Sequence, residues 1–370
     1  MNIKTITCHD VYNYGASLQA YALQEYLISQ GHNVEIIDYK PDYMRVHYNF
    51  WYVPKNSRYY NIAMKSKAIR FLLCCYFAPK RFATYGRKKS FDSFNKKFLH
   101  FTRRYNSYED LAADAPVADA YFAGSDQIWN SNLPNGKDPG YFLQFGKEET
   151  KRIAYAASFG IPEIQPEHRP VMSRWLEKFD AISVREKSAL NILDTLNAKG
   201  INVVDPVFLL TKEQWSRLAG EGRVVKEKYI LVYDLDLCNE ELMIEAKRLN
   251  ALYNYRIVAV NGLVKCPYAQ KNIKNAGPQE FVNLIKNAEF VLCNSFHATS
   301  FSIIFNRPFA TFYKHKNISR MADLLECVGL KDSLNAQEPK YEYNWDKVNE
   351  KLVEMCALSY DYIRKNTVTI

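Results

Sequence analysis

Residues 290–309, FVLCNSFHATSFSIIFNRPF, constrain the fold of this chain more than any other segment of similar length. An apolar run of strand type is followed by Asn294 and Ser295, residue types that cap helix N-termini. Apolar residues then recur at helical spacing until Pro308, after which a second apolar run begins. This pattern predicts a strand–helix–strand unit, the kind of unit from which parallel sheets are built.

His297 falls in the first turn of the predicted helix. Ligand crevices of such sheets lie at the carboxyl ends of the strands, and the unpaired N–H groups of a helix N-terminus favour an anion. We therefore expect His297 to face an anionic ligand. This segment alone leaves open a capping or partly buried histidine without chemistry.

The whole chain alternates between strand-like and helix-like segments. Its 370 residues exceed the size of one core, and a polar stretch at 219–228 separates two series of elements. We expect an α/β fold with two doubly wound parallel-sheet domains, at 1–218 and 229–335, and a helical tail at 336–370 that packs back on the first domain. The predicted strands are 2–8, 33–38, 118–123, 152–157, 181–184, 201–204, 229–233, 255–260, 290–293 and 309–313, and the predicted helices are 17–30, 239–249, 278–287 and 345–363.

The cysteines and the N-terminus indicate a cytoplasmic protein. The eight cysteines lack C-x-x-C spacing and the His and Cys clusters of zinc sites, so we expect reduced thiols and no metal. The first residues enter a strand without a signal peptide, and the longest apolar run, 71–78, is too short to span a bilayer.

A basic, aromatic insertion is predicted at about 43–105. Residues 43–104 contain fifteen lysines and arginines against one acid, Asp92, together with sixteen aromatic residues. Part of this segment, 61–80, can form an amphipathic helix. Such segments suit an anionic membrane surface, and they also suit nucleic acid. The alternative is a solvated basic insertion whose aromatic side chains pack on the first domain.

Polar residues follow several strands of the first domain. The loop after the first strand contains Gly15, which permits a close approach to a ligand, and it ends in a predicted helix cap at Ser17. No GxGxxG is present, so a dinucleotide is not indicated. Residues 124–129, GSDQIW, offer an acid, an amide and an indole, which suit sugar hydroxyls, although a turn followed by a helix cap is the alternative.

Arg185 follows another predicted strand. A guanidinium in this position can bind a carboxylate or phosphate in bidentate fashion. Pairing with Glu186 or another acid is the structural alternative.

Six ordered segments make the chain resemble the polysaccharide pyruvyl transferase family. They are NYG at 13–15 with LQAYAL at 18–23, GSDQIWN at 124–130, ASFG at 157–160, SVRE at 183–186, DP at 205–206, and SFH at 295–297 with PF at 308–309. The resemblance covers nearly the whole chain except most of the insertion. It implies a GT-B-like architecture with two facing Rossmann-like domains, of which the first binds the acceptor and the second the donor.

The same resemblance implies that phosphoenolpyruvate is a co-substrate and that its pyruvyl group becomes a ketal on a sugar. Some branches of the family place an arginine beside the histidine, whereas Asn294, Ser295 and Phe296 stand there in this chain. Other cations must then meet the donor phosphate. The expected donor site comprises Arg185, Ser295, His297, Ala298, Arg307, Lys314 and Arg320.

Ketal formation requires a general acid and anion-binding groups, but neither a metal nor a cofactor. We expect His297 to serve as the acid or as a clamp for the leaving phosphate, Arg185 to hold the donor carboxylate or phosphate, and Asp126 to act as base for the attacking hydroxyl. The expected acceptor site comprises Asn13, Tyr14, Gly15, Gly124, Ser125, Asp126, Gln127 and Trp129.

The insertion extends these expectations to a membrane partner. Surface polysaccharide precursors, such as those of capsule and exopolysaccharide, are often built on a polyprenyl diphosphate. We therefore expect peripheral attachment to the anionic inner face of the cell membrane and no nucleic acid. A GT-B-type glycosyltransferase using a nucleotide sugar is the main alternative, and a noncatalytic protein that binds anionic lipid or nucleic acid through the insertion is another.

Overall fold

A computed structural model of the chain describes residues 1–46, 53, 58–236, 239–261, 264–313 and 319–368. Its N-terminal part contains β1 (Asn2–Ile6), α1 (Tyr14–Ser29), β2 (Asn33–Tyr39), α2 (Tyr60–Lys65), α3 (Lys67–Phe98), β3 (Phe101–Tyr105), α4 (Tyr108–Ala113), β4 (Ala120–Ala123), β5 (Lys151–Ala157), α5 (Arg169–Leu176), β6 (Ala181–Val184), α6 (Ala189–Thr195), β7 (Ile201–Asn202) and α7 (Lys212–Ala219). Its C-terminal part contains β8 (Tyr229–Tyr233), α8 (Glu240–Tyr253), β9 (Arg256–Val260), β10 (Lys271–Ile273), α9 (Pro278–Lys286), β11 (Phe290–Cys293), α10 (Phe296–Ile304), β12 (Phe309–Thr311), α11 (Ser319–Cys327) and α12 (Trp345–Thr367).

Two parallel sheets organise the described residues. The first has the strand order β3-β2-β1-β4-β5-β6-β7 and the second β10-β9-β8-β11-β12, and the neighbouring strands pair in parallel. All five residues of β8, YILVY, are buried, as expected for a strand in a parallel sheet covered by helices on both faces. The predicted α/β class with two parallel-sheet domains is confirmed.

Helix α1 begins three residues before the predicted start. Asn13 has extended backbone and caps the helix, because its side chain accepts hydrogen bonds from the N–H groups of Gly15 and Ala16. The predicted cap, Ser17, is instead buried inside the helix. Gly15 consequently lies in the first helical turn and not in a loop.

The predicted insertion contains a longer helix than expected and a strand that the sequence did not indicate. Helix α3 runs from Lys67 to Phe98, whereas the predicted helix ended at Lys80. The next segment, Phe101–Tyr105, forms the edge strand of the first sheet. Its sequence, FTRRY, places two exposed arginines on the strand, a composition that an edge tolerates and a buried strand does not.

Helix α12 packs on the N-terminal domain. The hydroxyl of Tyr362 donates to the carbonyl of Ala154 in β5 at 2.9 Å, and Ser359 accepts from the backbone N–H of Val204 at 3.0 Å. Within the described ranges, no helix combines the length and the apolar character that crossing a membrane would require.

Candidate active site

Four polar side chains meet where the two domains face each other. Ser125 follows β4, Arg185 follows β6 and Asp205 follows β7, so three carboxyl ends of the first sheet contribute. His297 comes from the second domain, in the first turn of α10. Parallel sheets bring such strand ends to a single edge, which explains why residues so distant in sequence converge. We call these four residues the Asp205 cluster.

One carboxylate oxygen organises the cluster. Asp205 Oδ2 accepts from Arg185 Nη1 at 2.7 Å and from Ser125 Oγ at 3.2 Å, and it lies 3.6 Å from His297 Nε2. Burial alone would raise the pKa of Asp205, but His297 and Arg185 outweigh burial and hold that pKa well below its usual range. Asp205 is therefore a fixed negative charge that positions the guanidinium of Arg185 and the ring of His297.

Arg185 retains donors for a ligand. Its Nε and Nη2 atoms are buried and have no hydrogen-bond partner, although Glu186 and Asp126 have carboxylate oxygens 3.9 and 4.0 Å from the guanidinium. Burial acts to lower the pKa of Arg185, and the nearby carboxylates, with Asp205 first, raise it overall. Because buried polar groups are normally satisfied, these two donors are available to hydrogen-bond a ligand.

His297 is held between the domains by a close backbone contact. The α10 N-cap is Ser295, whose side chain accepts from the N–H of Ala298. A Cβ atom on Gly15 would lie 2.1 Å from His297 Nδ1, so only glycine leaves room for the ring at this point of α1. Gly15 therefore sets the position of the imidazole.

A cavity of about 250 Å³ adjoins the cluster, and Arg185, Asp205, Phe296, Arg320 and Lys187 contribute to its wall. Burial, and next the charge of Arg185, lower the pKa of Arg320. Asp205, Asp323 and Glu354 line the same cavity, so three cations and three carboxylates surround it.

Other predicted donor residues lie in different places. Arg307 lies past the C-terminal end of α10 and contacts the carbonyl of Ala288, so the helical part from His297 to Ile304, about 10 Å long, separates it from His297. The structure does not bring it to the cluster, because a rigid helix separates the two. Ala298 is buried in the first turn of α10, and Lys314 lies outside the described residues.

Three of the predicted acceptor residues are accessible from solvent: Asn13, Asp126 and Gln127. Asp126 has a left-handed backbone, with φ of 73°, and its carboxylate accepts from the N–H of Gln127. Such a conformation is strained for a residue other than glycine and is frequent at functional loops. Asp126 thus lies close to Arg185 in a position where it can reach a ligand.

The other predicted acceptor residues support the fold. Trp129 is fully buried and its indole donates to the carbonyl of Tyr141, so the ring has no exposed surface with which to contact an acceptor. Ser125 belongs to the cluster, and Gly15 contacts His297. Tyr14 is buried between the domains, where its ring stacks on Phe281 with centroids 4.2 Å apart. Gly124 is buried as well, and its N–H donates to the carbonyl of Ile6.

Sequence reasoning did not assign Asp205 or Glu186 to the site. Glu186 accepts from Ser158 Oγ at 2.7 Å and from the N–H of Gly160 at 3.0 Å, and its other oxygen is buried without a partner. Asp205 directly follows the predicted strand 201–204, and Glu186 comes two residues after the predicted strand 181–184. A position just after a strand is the same signal that identified Arg185. In the described part of the chain, no group of His, Cys, Asp and Glu residues is arranged to hold a metal ion.

Several solved structures and one family model are similar to this chain. In solved structures the fold is similar to that of a Listeria monocytogenes protein assigned as a UDP-N-acetylglucosamine 2-epimerase, with 9% identity, coverage of 100% of this chain and 91% of that chain, and a TM-score of 0.50. It is also similar to the UDP-GlcNAc 2-epimerase from Methanocaldococcus jannaschii (13% identity, 96% and 93% coverage, TM-score 0.49) and to the E. coli ADP-heptose LPS heptosyltransferase II (10% identity, 96% and 99% coverage, TM-score 0.39). The likeness to the L. monocytogenes protein shows a shared fold, and the predicted architecture of two parallel-sheet domains is confirmed.

A search among curated proteins found no similar sequence. The sequence model of one family, Polysaccharide pyruvyl transferase, matches residues 13–315 and therefore includes every member of the Asp205 cluster. The chain belongs to the polysaccharide pyruvyl transferase family, as its ordered motifs predicted.

Proposed function

We propose that the protein transfers the pyruvyl group of phosphoenolpyruvate to a sugar, as a ketal, at the Asp205 cluster. The observation that carries the proposal is the pair of vacant donors on buried Arg185, beside His297 and the cavity. Phosphoenolpyruvate is a small dianion or trianion with a carboxylate and a phosphate. The cations around the cavity offer complementary partners for both groups.

His297 is the proposed general acid. Protonation of the methylene carbon of phosphoenolpyruvate leaves a cation at the central carbon, which one sugar hydroxyl attacks with loss of its proton. Departure of phosphate, with cleavage of its C–O bond to that carbon, permits a second hydroxyl to add and lose its proton, which closes the ketal. Asp205 Oδ2 lies 3.6 Å from His297 Nε2 and positions the ring that delivers the first proton.

Arg185 and Arg320 are the proposed anion clamps, and Asp126 is the proposed base. Arg185 holds the donor carboxylate or phosphate through its vacant donors, and Arg320 faces the same cavity. Asp126 is partly exposed and close to Arg185, so an acceptor hydroxyl approaching from the first domain meets its carboxylate.

The acceptor is proposed to be a precursor of a surface polysaccharide, such as capsule or exopolysaccharide, carried on a polyprenyl diphosphate. Helices α2 and α3 support a peripheral contact with the anionic cytoplasmic face of the membrane. They expose large apolar side chains, Ile62, Met64, Phe71, Leu72 and Tyr76, next to basic residues of the same helices, Lys65, Lys67 and Arg70. A mixed apolar and basic surface of this kind suits anionic lipid.

Mass spectrometry tests the reaction directly. Candidate lipid-linked sugars incubated with phosphoenolpyruvate and the protein should gain the mass of one pyruvate ketal and release inorganic phosphate, and His297→Ala should slow both by roughly 100- to 10,000-fold. Thermal shifts provide the second measurement, in which phosphoenolpyruvate should stabilise the protein and nucleoside diphosphates should not. Protection by a nucleoside diphosphate without protection by phosphoenolpyruvate would instead favour a nucleotide-sugar glycosyltransferase.

A further inference from the structure

A second cavity, of about 430 Å³, lies on the N-terminal domain under helix α3. We call it the α3 pocket and define it by His9, Asp38, Asn95, Lys88, Lys96 and Arg104. His9 follows β1, Asp38 lies in β2 and Arg104 lies in β3, while the other three residues come from α3. The floor is thus made of strand ends and the roof is the helix of the insertion.

The α3 pocket adjoins the Asp205 cluster. Tyr12 lines the pocket, and Gly15, three residues later, contacts His297. Three residues of chain span at most about 11 Å. Tyr12 also has a left-handed backbone, with φ of 51°, so the segment that joins the two sites is held in a strained conformation. An acceptor of two or more sugar units is long enough to bridge this distance.

Most cations that line the pocket are already paired with carboxylates, as Lys40 is with Asp10. Arg104 Nε donates to Asp38 Oδ2 at 2.8 Å, His9 Nε2 lies 3.3 Å from the other oxygen of Asp38, and Lys88 contacts Asp92. The carboxylates of Asp10, Asp38 and Asp92 offset all but one of the four lysines and arginines in the lining, so the pocket offers a phosphate little net charge. The lining instead alternates hydrogen-bond donors and acceptors, which is the chemistry that several hydroxyl groups require.

The α3 pocket also contains an unsatisfied hydrogen-bond acceptor and aromatic surface, which a sugar can use. Asn95 Oδ1 is buried and has no hydrogen-bond partner, so a hydroxyl donor would satisfy it. Phe101 and Tyr12 add ring surface beside these polar groups, and the Phe101 ring centroid is 5.0 Å from that of His9. Apolar faces next to hydroxyl-binding groups suit the two kinds of surface that a sugar ring presents.

We infer that the α3 pocket binds an uncharged sugar unit of the acceptor, next to the unit that receives the pyruvyl group, and that α3 selects this sugar. The inference rests on the proposed function for the identity of the acceptor. It gives the insertion a role in specificity that is separate from any contact with a membrane.

The test compares Asn95→Leu with Ser93→Ala, an exposed position on the same helix. Saturation-transfer NMR with a panel of methyl glycosides of glucose, galactose, mannose and N-acetylglucosamine should detect binding to the wild-type protein and to Ser93→Ala, and at least about tenfold weaker binding to Asn95→Leu. In transfer assays with an oligosaccharide acceptor, Asn95→Leu should raise the acceptor KM by a similar factor and leave the phosphoenolpyruvate KM unchanged. Near-equal melting temperatures of the two variants verify that both fold.

Three outcomes would overturn the inference: glycoside binding that Asn95→Leu does not weaken, an unchanged acceptor KM in an active Asn95→Leu variant, or binding of inorganic pyrophosphate in the pocket with no glycoside binding. The last outcome would identify an anion site. Glycoside binding that depends on Asn95 in a protein without pyruvyl transfer would remove the proposed reaction and keep the sugar pocket. The two proposals can therefore fail separately.

Discussion

Arg185 combines two tasks that a lysine cannot combine. One nitrogen of its guanidinium is bonded to Asp205, and two further nitrogens remain available for a ligand. A lysine could retain the ion pair but would lose the planar fork. We expect Arg185→Lys to raise the phosphoenolpyruvate KM by roughly 10- to 100-fold, since a hydrogen bond to a charged group contributes about 1.5–3 kcal/mol.

Steady-state kinetics with phosphoenolpyruvate as the varied substrate measures this effect. Arg256→Lys is the matched control, because Arg256 forms an exposed ion pair with Glu227 on the second domain. An unchanged phosphoenolpyruvate KM in Arg185→Lys would show that Arg185 does not hold the donor.

A larger residue at position 15 would test whether Gly15 determines the position of the His297 ring. The methyl group of an alanine at position 15 would displace the imidazole, because a Cβ atom on Gly15 would lie 2.1 Å from His297 Nδ1. A misplacement of about 1 Å in a catalytic group can cost about 100-fold in rate. We expect Gly15→Ala to lower kcat by about that factor while the protein stays folded, since alanine is a good helix former at a position inside α1.

A double-mutant cycle provides the control for this prediction. In the His297→Ala background the ring is absent, so adding Gly15→Ala should cause no further loss of activity. If Gly15→Ala lowered activity equally with and without the His297 side chain, Gly15 would act through something other than the imidazole.

Among the elements, those defined by local patterns could be predicted and those defined by distant contacts could not. The unit β11-α10-β12 was predicted because its caps and its terminating proline are consecutive in sequence. Strand β3 was missed because FTRRY lacks the apolar run of a buried strand, and only its place at the sheet edge permits that composition. The start of α1 was misplaced because Asn13 and Ser17 are equally suitable caps by residue type.

In the candidate site too, local patterns could be predicted from the sequence and contacts between distant residues could not. His297 and Arg185 could be found from their positions after predicted strands. That both approach a single oxygen of Asp205, and that Gly15 fixes the ring of His297, depend on how two domains meet. Arg307, which is close to His297 in sequence, lies apart from the Asp205 cluster, because α10 separates the two residues.

The α2–α3 element carries a prediction about membranes. Each cation near an anionic surface contributes about 1 kcal/mol, so the variant Lys65→Gln, Lys67→Gln, Arg70→Gln should bind anionic vesicles about 100-fold more weakly. Sedimentation with phosphatidylserine vesicles at low salt measures this. The control replaces three exposed lysines elsewhere, Lys178, Lys199 and Lys365, with glutamine. Equal sedimentation of both triple variants would reject a specific membrane-facing surface.

At the scale of the whole molecule, the cleft is held by buried polar contacts as well as by apolar packing. Tyr14 stacks on Phe281, donates to the carbonyl of Ala276 and accepts from Arg87 of α3. Asp205 lies on the N-terminal side of the cleft and is close to His297 on the other. The Asp205 carboxylate therefore contributes both to the contact between the domains and to the charge of the site. A change in its charge should affect both.

This coupling predicts how acid affects stability. The pKa of Asp205 is depressed in the folded protein, so its stabilising contribution is complete above its unfolded pKa of about 3.9 and is lost as pH falls below that value. Asp205→Asn should cost about 3–5 kcal/mol at pH 7, because it leaves Arg185 buried without its charged partner, and the cost should shrink at pH 3. Denaturant unfolding at both pH values measures the difference, with Asp361→Asn, which removes an exposed partner of Arg364, as the control. If the cost were the same at both pH values, the Asp205 carboxylate would not be the charge that stabilises the cleft.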